Sequence, residues 1–399
     1  MIQYKLPGTR FCPEEMRRTV ARNRKGIMMT QLSLLIKPAS SACNMRCAYC
    51  FYRDVADNRD RPSYGIMSAE TTEAMLKNVF SYVKGSISFT FQGGEPTLAG
   101  TAYFERFHTL VDLYNTQRIP VSFSMQTNGL DLPEEMIALL AKHRYLLGVS
   151  LDGTDKLHDA LRKDAAGKPT AERINRTLRL LDHYGVDYNI LCVITRKIAE
   201  KGADVYKYFR GRKLRFLQFI PYVPEFGREE ESYPYTLDNE SYAGFLSSVF
   251  RLYRQDYLQG NYVSIRQFDN FVRIAAGQQP ECCGMGGRCF ANLVVESDGS
   301  VYPCDFYVLD KWRMGNITQD PISDLLASPA AELFVKSSLV IDETCKNCSF
   351  FPICRGGCRR HRELPGGKIG LNRYCMAYKT FFKRNMPMLK ELAEHIRKK

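Results

Sequence analysis

The first half of the chain alternates short apolar runs with amphipathic stretches of helical length. This alternation is typical of β/α units around a parallel sheet, in which a helix follows and covers each buried strand. Six units are predicted, and their strands span residues 32–37, 86–91, 121–125, 146–151, 188–194 and 214–220. Helical patterns lie between them at 69–84, 103–114, 134–142 and 171–184, and a glycine at 185 ends the last of these.

Small and polar residues follow the end of each predicted strand. Examples are Pro38-Ala39-Ser40, Gln92-Gly93-Gly94-Glu95, Gln126-Thr127-Asn128-Gly129 and Asp152-Gly153. The loops after the strands carry the active site in β/α barrels, so these clusters predict a site at one rim of the barrel. A closed eight-stranded barrel needs about 250 residues. The six units therefore predict a partial, open (β/α)6 barrel.

After about residue 225 the β/α rhythm stops. A helical pattern at 237–257 leads into a region that contains nine of the fourteen cysteines, with a hairpin predicted around Ser297-Asp298-Gly299. An amphipathic helix is predicted from Tyr378 to Lys398, packed on the barrel. The predicted parts are an N-terminal extension (1–30), a barrel (31–235), a helical linker (236–280), a cysteine-rich domain (281–376) and a C-terminal helix (377–399).

Composition narrows the class of protein. The 399 residues are 45% hydrophobic and 25% charged, without an apolar run near membrane-spanning length, so neither disorder nor a membrane protein is expected. A formal charge of +13 favours acidic partners. The basic residues are spread along the chain rather than gathered in one stripe, so a nucleic-acid partner is not expected. No secretory signal is evident, which predicts a cytoplasmic, reducing location where cysteines bind metal rather than form disulfides.

Cys43, Cys47 and Cys50 form a C-x3-C-x2-C pattern after the first predicted strand. A structural zinc site needs four ligands, whereas a 4Fe-4S cluster held by three cysteines keeps one iron open for a substrate or cofactor. Buried or zinc-binding cysteines are the alternative to a cluster.

The segment from Cys43 to Cys50, CNMRCAYC, resembles the signature of radical S-adenosylmethionine (SAM) enzymes, and Gly93-Gly94-Glu95-Pro96 resembles the GGE motif of that family. The resemblance implies that the amino and carboxylate groups of SAM chelate the open iron. It further implies SAM contacts at Tyr49, Gly93, Gly94, Glu95, Ser150, Arg162 and Val223. Val223 stands where the family has a leucine that touches adenine through its backbone, so the substitution should matter little.

The second cysteine group resembles the SPASM extension of peptide-modifying radical SAM enzymes. The resemblance implies two auxiliary 4Fe-4S clusters, and hence three clusters in all. One would be held by Cys283, Cys289, Cys304 and Cys358, and the other by Cys345, Cys348, Cys354 and Cys375. Cys282 could replace Cys283, but only Cys283 leaves five residues before Cys289. Spacing alone also allows a pair of zinc ribbons. Cys12 and Cys192 stand apart and are expected to be ordinary thiols.

From Gln31 to Tyr378 the sequence resembles the anaerobic sulfatase-maturating enzymes, which convert a cysteine or serine of a sulfatase into Cα-formylglycine. The resemblance implies that Asp305 is the catalytic base and that Tyr52 and Gln92 lie near the substrate. The implied partners are an unfolded or nascent sulfatase with a Cys/Ser-x-Pro/Ala-x-Arg motif and a flavodoxin or ferredoxin reductant. Three alternatives are a thioether-forming SPASM enzyme, a zinc-dependent nucleic-acid binder and an oxygen-sensing regulator.

Overall fold

A computed structural model describes residues 31–227 and 233–397. The predicted N-terminal extension and Cys12 lie outside these ranges. Six parallel strands pair in chain order, which confirms the predicted partial barrel. They are β1 (Gln31–Ile36), β2 (Ser86–Phe91), β3 (Val121–Thr127), β4 (Leu146–Ser150), β5 (Asp187–Ile194) and β6 (Phe216–Pro221). The last begins later than predicted because the N–H of Leu214 bonds the carbonyl of Phe209 at the end of the preceding helix.

Helices follow the strands and cover the sheet. They are α1 (Phe51–Asp57), α2 (Ala69–Tyr82), α3 (Thr101–Tyr114), α4 (Glu134–Lys142), α5 (Asp155–Leu161), α6 (Ala171–Tyr184), α7 (Arg196–Glu200) and α8 (Gly202–Gly211). The Ser68 hydroxyl caps α2 by accepting from the N–H of Thr71 at 3.1 Å. Gly185 ends α6 with φ of 66°, a left-handed conformation that favours glycine.

Four further strands extend this sheet at its two edges. β7 (Ser264–Ile265) pairs with β6 at one edge. β8 (Leu293–Val295), β9 (Ser300–Tyr302) and β10 (Gly315–Asn316) come from the cysteine-rich region at the other. The predicted hairpin is present as β8 and β9, which pair antiparallel. β8 also pairs in parallel with β1, so one ten-stranded sheet runs from the barrel into the cysteine-rich region.

Seven helices complete the described fold. They are α9 (Asn239–Leu258), α10 (Arg266–Ala275), α11 (Ile322–Leu326), α12 (Pro329–Ser338), α13 (Glu343–Lys346), α14 (Phe351–Cys354) and α15 (Cys375–Arg397). The terminal helix α15 starts earlier than predicted and packs on α9 and α10, where Phe381 meets Phe250 and Phe382 meets Phe271. Within 31–227 and 233–397, no helix has the length and apolar character needed to cross a bilayer.

Candidate active site

Cys43, Cys47 and Cys50 lie in the loop that connects β1 to α1, with Cys50 directly before the helix. Burial raises the pKa of Cys43 to about 11 and that of Cys47 to about 12. The charge of a nearby Cys50 thiolate raises the pKa of both thiols further. The three side chains therefore lie close together.

The loop with the three cysteines is fixed by a short contact with residues 161–165. The main-chain bonds across it run from Arg46 to Lys163, from Ala48 to Leu161 and from Ala165 to Asn44, at 2.8–3.0 Å. This contact brings Arg162 to the cysteines, with its Nη1 at 3.6 Å from Cys47 Sγ. The family resemblance singled out Arg162, and the fold places it beside Cys47.

Arg162 is held by Asp152, which the sequence analysis did not single out as a site residue. The Nε of Arg162 donates to Asp152 Oδ2 at 2.9 Å, and the Tyr49 hydroxyl donates to the same oxygen. The N–H of Val193 donates to the other oxygen of Asp152 at 2.9 Å. Because Asp152 is only 2% exposed, its carboxylate fixes both Arg162 and Tyr49 from within the barrel. Its position after β4 was the only sequence signal of this role.

Gly94 lets the loop after β2 approach the cysteine loop closely. A Cβ on Gly94 would stand 2.2 Å from the carbonyl oxygen of Ala42, and φ at this residue is +43°. Next to it, the N–H of Glu95 donates to the same carbonyl at 2.7 Å. A larger residue than glycine at 94 would push the two loops apart.

The carboxylate of Glu95 is buried and accepts hydrogen bonds from neighbouring residues of the protein. Its Oε1 accepts from Thr97 and from the Thr127 hydroxyl, and its Oε2 accepts from the N–H of Asn128 at 2.7 Å. Asn128 in turn reaches Cys43 Sγ with its Nδ2, at 3.7 Å. Glu95 therefore supports the end of β3 beside the cysteines, and Oε2 is the oxygen with capacity for another donor.

Ser150 and Val223 lie at the same rim, at the ends of β4 and β6. In the described ranges the Ser150 hydroxyl makes no hydrogen bond. Val223 is 8% exposed and follows β6 by two residues. Gly93, Gly94 and Glu95 follow β2. These five residues thus lie at the carboxyl ends of parallel strands, where α/β proteins bind ligands.

Asp305 contacts Tyr52 of α1 and Gln92, which directly follows β2. The Tyr52 hydroxyl donates to Asp305 Oδ2 at 2.6 Å, and Gln92 Nε2 donates to the same oxygen at 2.7 Å. Oδ1 is buried and has no hydrogen-bond partner among the described residues. Burial raises the pKa of Asp305, while the charge of Lys37 opposes that rise. Lys37 is a second residue that sequence reasoning missed; its one signal was a lysine closing an apolar strand.

Four cysteines of the SPASM-like region meet beside Asp305. They are Cys283, Cys289, Cys304 and Cys358. Burial raises the pKa of each thiol, and the charge of at least one other member raises it further. Cys304 directly precedes Asp305, so this group adjoins the acid. The charge of Cys358 acts on Cys283, as does that of Cys282, whereas the Sγ of Cys282 also accepts a hydrogen bond from Asn270 Nδ2 at 3.7 Å. The assignment of Cys283 as the ligand stays a prediction.

The remaining four cysteines line one cavity. Its walls include Cys345, Cys348, Cys354, Cys375, Phe350, Phe351 and Phe382. The aromatic rings surround the thiols with apolar surface. Both predicted groups of four are therefore brought together as groups by the fold.

All thirteen cysteines in the described ranges are free. In these ranges no three His, Cys, Asp or Glu side chains converge tightly enough to hold one metal ion. A zinc ion needs its ligands within about 2.3 Å of one point, whereas cysteines around a 4Fe-4S cluster bind separate irons. Either kind of site would need free thiols, which the described ranges provide.

Known proteins resemble the chain in both regions. Residues 38–203 match the radical SAM superfamily and residues 283–349 match SPASM, an iron-sulfur cluster-binding domain. The cysteine-type anaerobic sulfatase-maturating enzyme of Clostridium perfringens (strain 13 / Type A) is 44% identical over 92% of this chain and 100% of its own length. The serine-type enzyme of Bacteroides thetaiotaomicron is 28% identical over 90% of each chain.

A solved structure extends the comparison to the fold. Native anSMEcpe with bound AdoMet, which is SAM, and Cp18Cys peptide has a TM-score of 0.87 and 43% identity, covering 92% of this chain and 99% of its own. The family expected from the sequence motifs is thereby confirmed. With 44% identity to a full-length relative, the chain belongs to the anaerobic sulfatase-maturating enzymes, radical SAM proteins with a SPASM domain that use SAM and several 4Fe-4S clusters.

Proposed function

We propose that the chain oxidises a cysteine or serine side chain of a sulfatase polypeptide to Cα-formylglycine. The observation that carries this proposal is the arrangement of Asp305. Tyr52 and Gln92 bind its Oδ2, whereas Oδ1 has no partner in the described part of the chain. A carboxylate oriented through one oxygen and free at the other is suited to accept a proton from a substrate. Conversion of a thiol or hydroxyl to a carbonyl-type product requires such an acceptor.

When bound, SAM and the clusters supply the 5′-deoxyadenosyl radical that removes one hydrogen from the substrate Cβ and the acceptor for a second electron. Asp305 then receives the proton of the thiol or hydroxyl at Oδ1. Tyr52 and Gln92 hold the carboxylate in position for this transfer. Serine yields the aldehyde directly, and cysteine yields a thioaldehyde that water hydrolyses to the aldehyde and sulfide.

We assign the groups that hold the cofactors from the family motifs and from the fold. Cys43, Cys47 and Cys50 would hold the SAM-binding cluster, with SAM contacts from Tyr49, Gly93, Gly94, Glu95, Ser150, Arg162 and Val223. One auxiliary cluster would be held by Cys283, Cys289, Cys304 and Cys358, and the other by Cys345, Cys348, Cys354 and Cys375. The burial of these thiols and their grouping support this assignment.

Cysteine is the substrate residue that we favour. The chain is 44% identical to a cysteine-type enzyme and 28% identical to a serine-type enzyme. We further infer that the target peptide carries a Cys/Ser-x-Pro/Ala-x-Arg motif and that a flavodoxin or ferredoxin provides electrons. A cytoplasmic location stays a prediction; free thiols in the described ranges are compatible with it.

Paired peptides that differ only in cysteine or serine at the target position would test the function. Each is incubated without oxygen with reconstituted, reduced enzyme and SAM, and the products are measured by mass spectrometry. We expect formylglycine with a matching amount of 5′-deoxyadenosine, and faster turnover of the cysteine peptide. Deoxyadenosine without a modified peptide would contradict sulfatase maturation and would indicate a different peptide substrate.

A further inference from the structure

The segment after β6 is held from both sides by the cysteine-rich region. The hydroxyl of Tyr374 donates to the carbonyl of Tyr222 at 2.7 Å. The Nη2 of Arg360 donates to the carbonyl of Pro224 at 2.5 Å. The carbonyls of the residues before and after Val223 are therefore both fixed by side chains from a distant part of the chain.

Both donors are buried and rigidly placed. Tyr374 is 2% exposed, and its ring packs on Tyr242 with the centroids 5.1 Å apart. Arg360 is 4% exposed, and its guanidinium lies 3.8 Å from the centre of the Phe226 ring. Its Nη2 is also 3.8 Å from the carboxylate of Asp54, which belongs to α1. Neither side chain can shift without disturbing its neighbours.

The main-chain groups of Val223, its N–H and its carbonyl, make no hydrogen bonds in the described part of the chain. Peptide planes are rigid, so only the φ and ψ angles of Val223 and Pro224 separate the two fixed carbonyls, and the proline ring already fixes one of these four angles. The two hydrogen bonds therefore restrict the main chain at Val223. The main-chain groups of Val223 are thus oriented by their neighbours and are available to a ligand.

We infer that Tyr374 and Arg360 are positioning residues for SAM, which act by holding the Val223 main chain in the orientation that receives adenine. This inference rests on the proposed function, since that assigns the Val223 contact. Tyr374 directly precedes the proposed ligand Cys375, and Arg360 follows Cys358 by two residues. The auxiliary-cluster region therefore contributes to SAM affinity through two side chains that do not touch SAM.

Tyr374→Phe tests the inference with the smallest change, because it removes the hydroxyl and keeps the ring. The dissociation constant of SAM is measured by anaerobic calorimetry on reconstituted enzyme of known iron content. We expect it to rise about fivefold, as for the loss of one hydrogen bond. The SAM-dependent change in the electron paramagnetic resonance spectrum of the reduced enzyme should need correspondingly more SAM. The KM for SAM should rise while the KM for peptide stays constant.

Tyr206→Phe is the matched control. Tyr206 is also buried, and its hydroxyl donates to Asp256 at 2.7 Å, between helices α8 and α9 and away from the carbonyls of Tyr222 and Pro224. Its variant should bind SAM like the wild type. Arg360→Gln releases the second carbonyl and should also raise the dissociation constant.

Two results would overturn the inference. One is a Tyr374→Phe protein with full iron content and unchanged SAM affinity. The other is loss of cluster iron in that variant, because the hydroxyl would then serve the cluster rather than Tyr222. A wild type that binds SAM and releases deoxyadenosine without making formylglycine would refute the proposed function alone, since the comparison of SAM affinities would still decide the role of Tyr374.

Discussion

Lys37 and Glu296 form a buried ion pair where the barrel meets the cysteine-rich region. Lys37 Nζ lies 3.3 Å from Glu296 Oε2, and Arg59 Nη1 lies 2.7 Å from the same oxygen. Burial acts to raise the pKa of Glu296, but the two cations hold it below its usual range. Lys37 Nζ also lies 5.5 Å from the centre of the Tyr52 ring. This group of charges therefore borders the proposed proton acceptor.

Glu296→Gln should destabilise the protein strongly, because it leaves Lys37 and Arg59 buried without their carboxylate. Removal of one partner from a buried pair costs about 3–5 kcal/mol of unfolding free energy. Anaerobic urea unfolding followed by circular dichroism measures the loss. Asp57→Asn is the control, since Asp57 pairs with Arg53 at 3.8 Å on the surface and such pairs contribute little. Equal midpoints for the two variants would contradict a structural role for the buried pair.

Asp305→Asn should keep iron and SAM binding but form little formylglycine. An amide preserves the shape of the carboxylate and can still contact Tyr52, yet it cannot take a proton at this position. We expect a loss of at least 100-fold in the rate of product formation, the lower end for a missing general base. The rate is measured by mass spectrometry, with iron content and SAM affinity determined on the same sample.

Asp310→Asn provides the control for that variant. Asp310 is exposed, and among the described residues its side chain accepts only the N–H of Asp60, at 2.8 Å. Its replacement should leave the rate unchanged. An Asp305→Asn enzyme that makes formylglycine at the wild-type rate would show that another group accepts the proton.

The sequence was sufficient to predict the barrel and the family. Buried strands and the helices that cover them differ in the period of their hydrophobic residues, so all six units could be located. The family resemblance implied three groups of cysteines, and the members of each group lie near one another in the fold. The family motifs singled out Arg162 and Asp305, whose neighbours in the fold are Cys47 and Tyr52.

Contacts between distant segments could not be predicted in the same way. The short strand β8 has the same apolar pattern whether it pairs only with β9 or also with β1, so the continuous sheet was not foreseen. Asp152 is one of several polar residues after strands, and its contact with Arg162 depends on the tertiary fold. The same holds for Lys37, whose partner Glu296 is far away along the chain.

Cys282 and Cys283 should behave differently when each is replaced by alanine. The charge of Cys358 acts on Cys283, whereas the Sγ of Cys282 accepts a hydrogen bond from Asn270. Cys283→Ala should lose about one third of the iron, because one of three clusters with four irons each would not assemble. Cys282→Ala should retain it. Iron and sulfide analysis of proteins reconstituted in parallel measures the difference, and equal iron losses in the two variants would contradict the assignment.

His158 should make the folded state sensitive to mild acid. Its side chain is fully buried, its Nδ1 accepts from the N–H of Asp152 at 3.1 Å, and its Nε2 lies 3.1 Å from the Thr170 hydroxyl. Burial lowers the pKa of His158 to about 4. An unfolded histidine titrates near 6.5, so between these values the unfolded chain takes up a proton that the folded protein does not. The free energy of unfolding is therefore unaffected by protonation of His158 above about pH 6.5, and it decreases as the pH falls toward 4.

His158→Asn tests this dependence, because its side-chain oxygen can still accept from Asp152 while the group no longer titrates. Between pH 7 and pH 5 the wild type should lose about 2 kcal/mol more unfolding free energy than the variant, as measured by urea unfolding at both pH values. Replacement of the exposed His183 by asparagine should leave the wild-type difference intact. If His158→Asn lost as much stability as the wild type between these pH values, protonation of another group would have to explain the acid sensitivity.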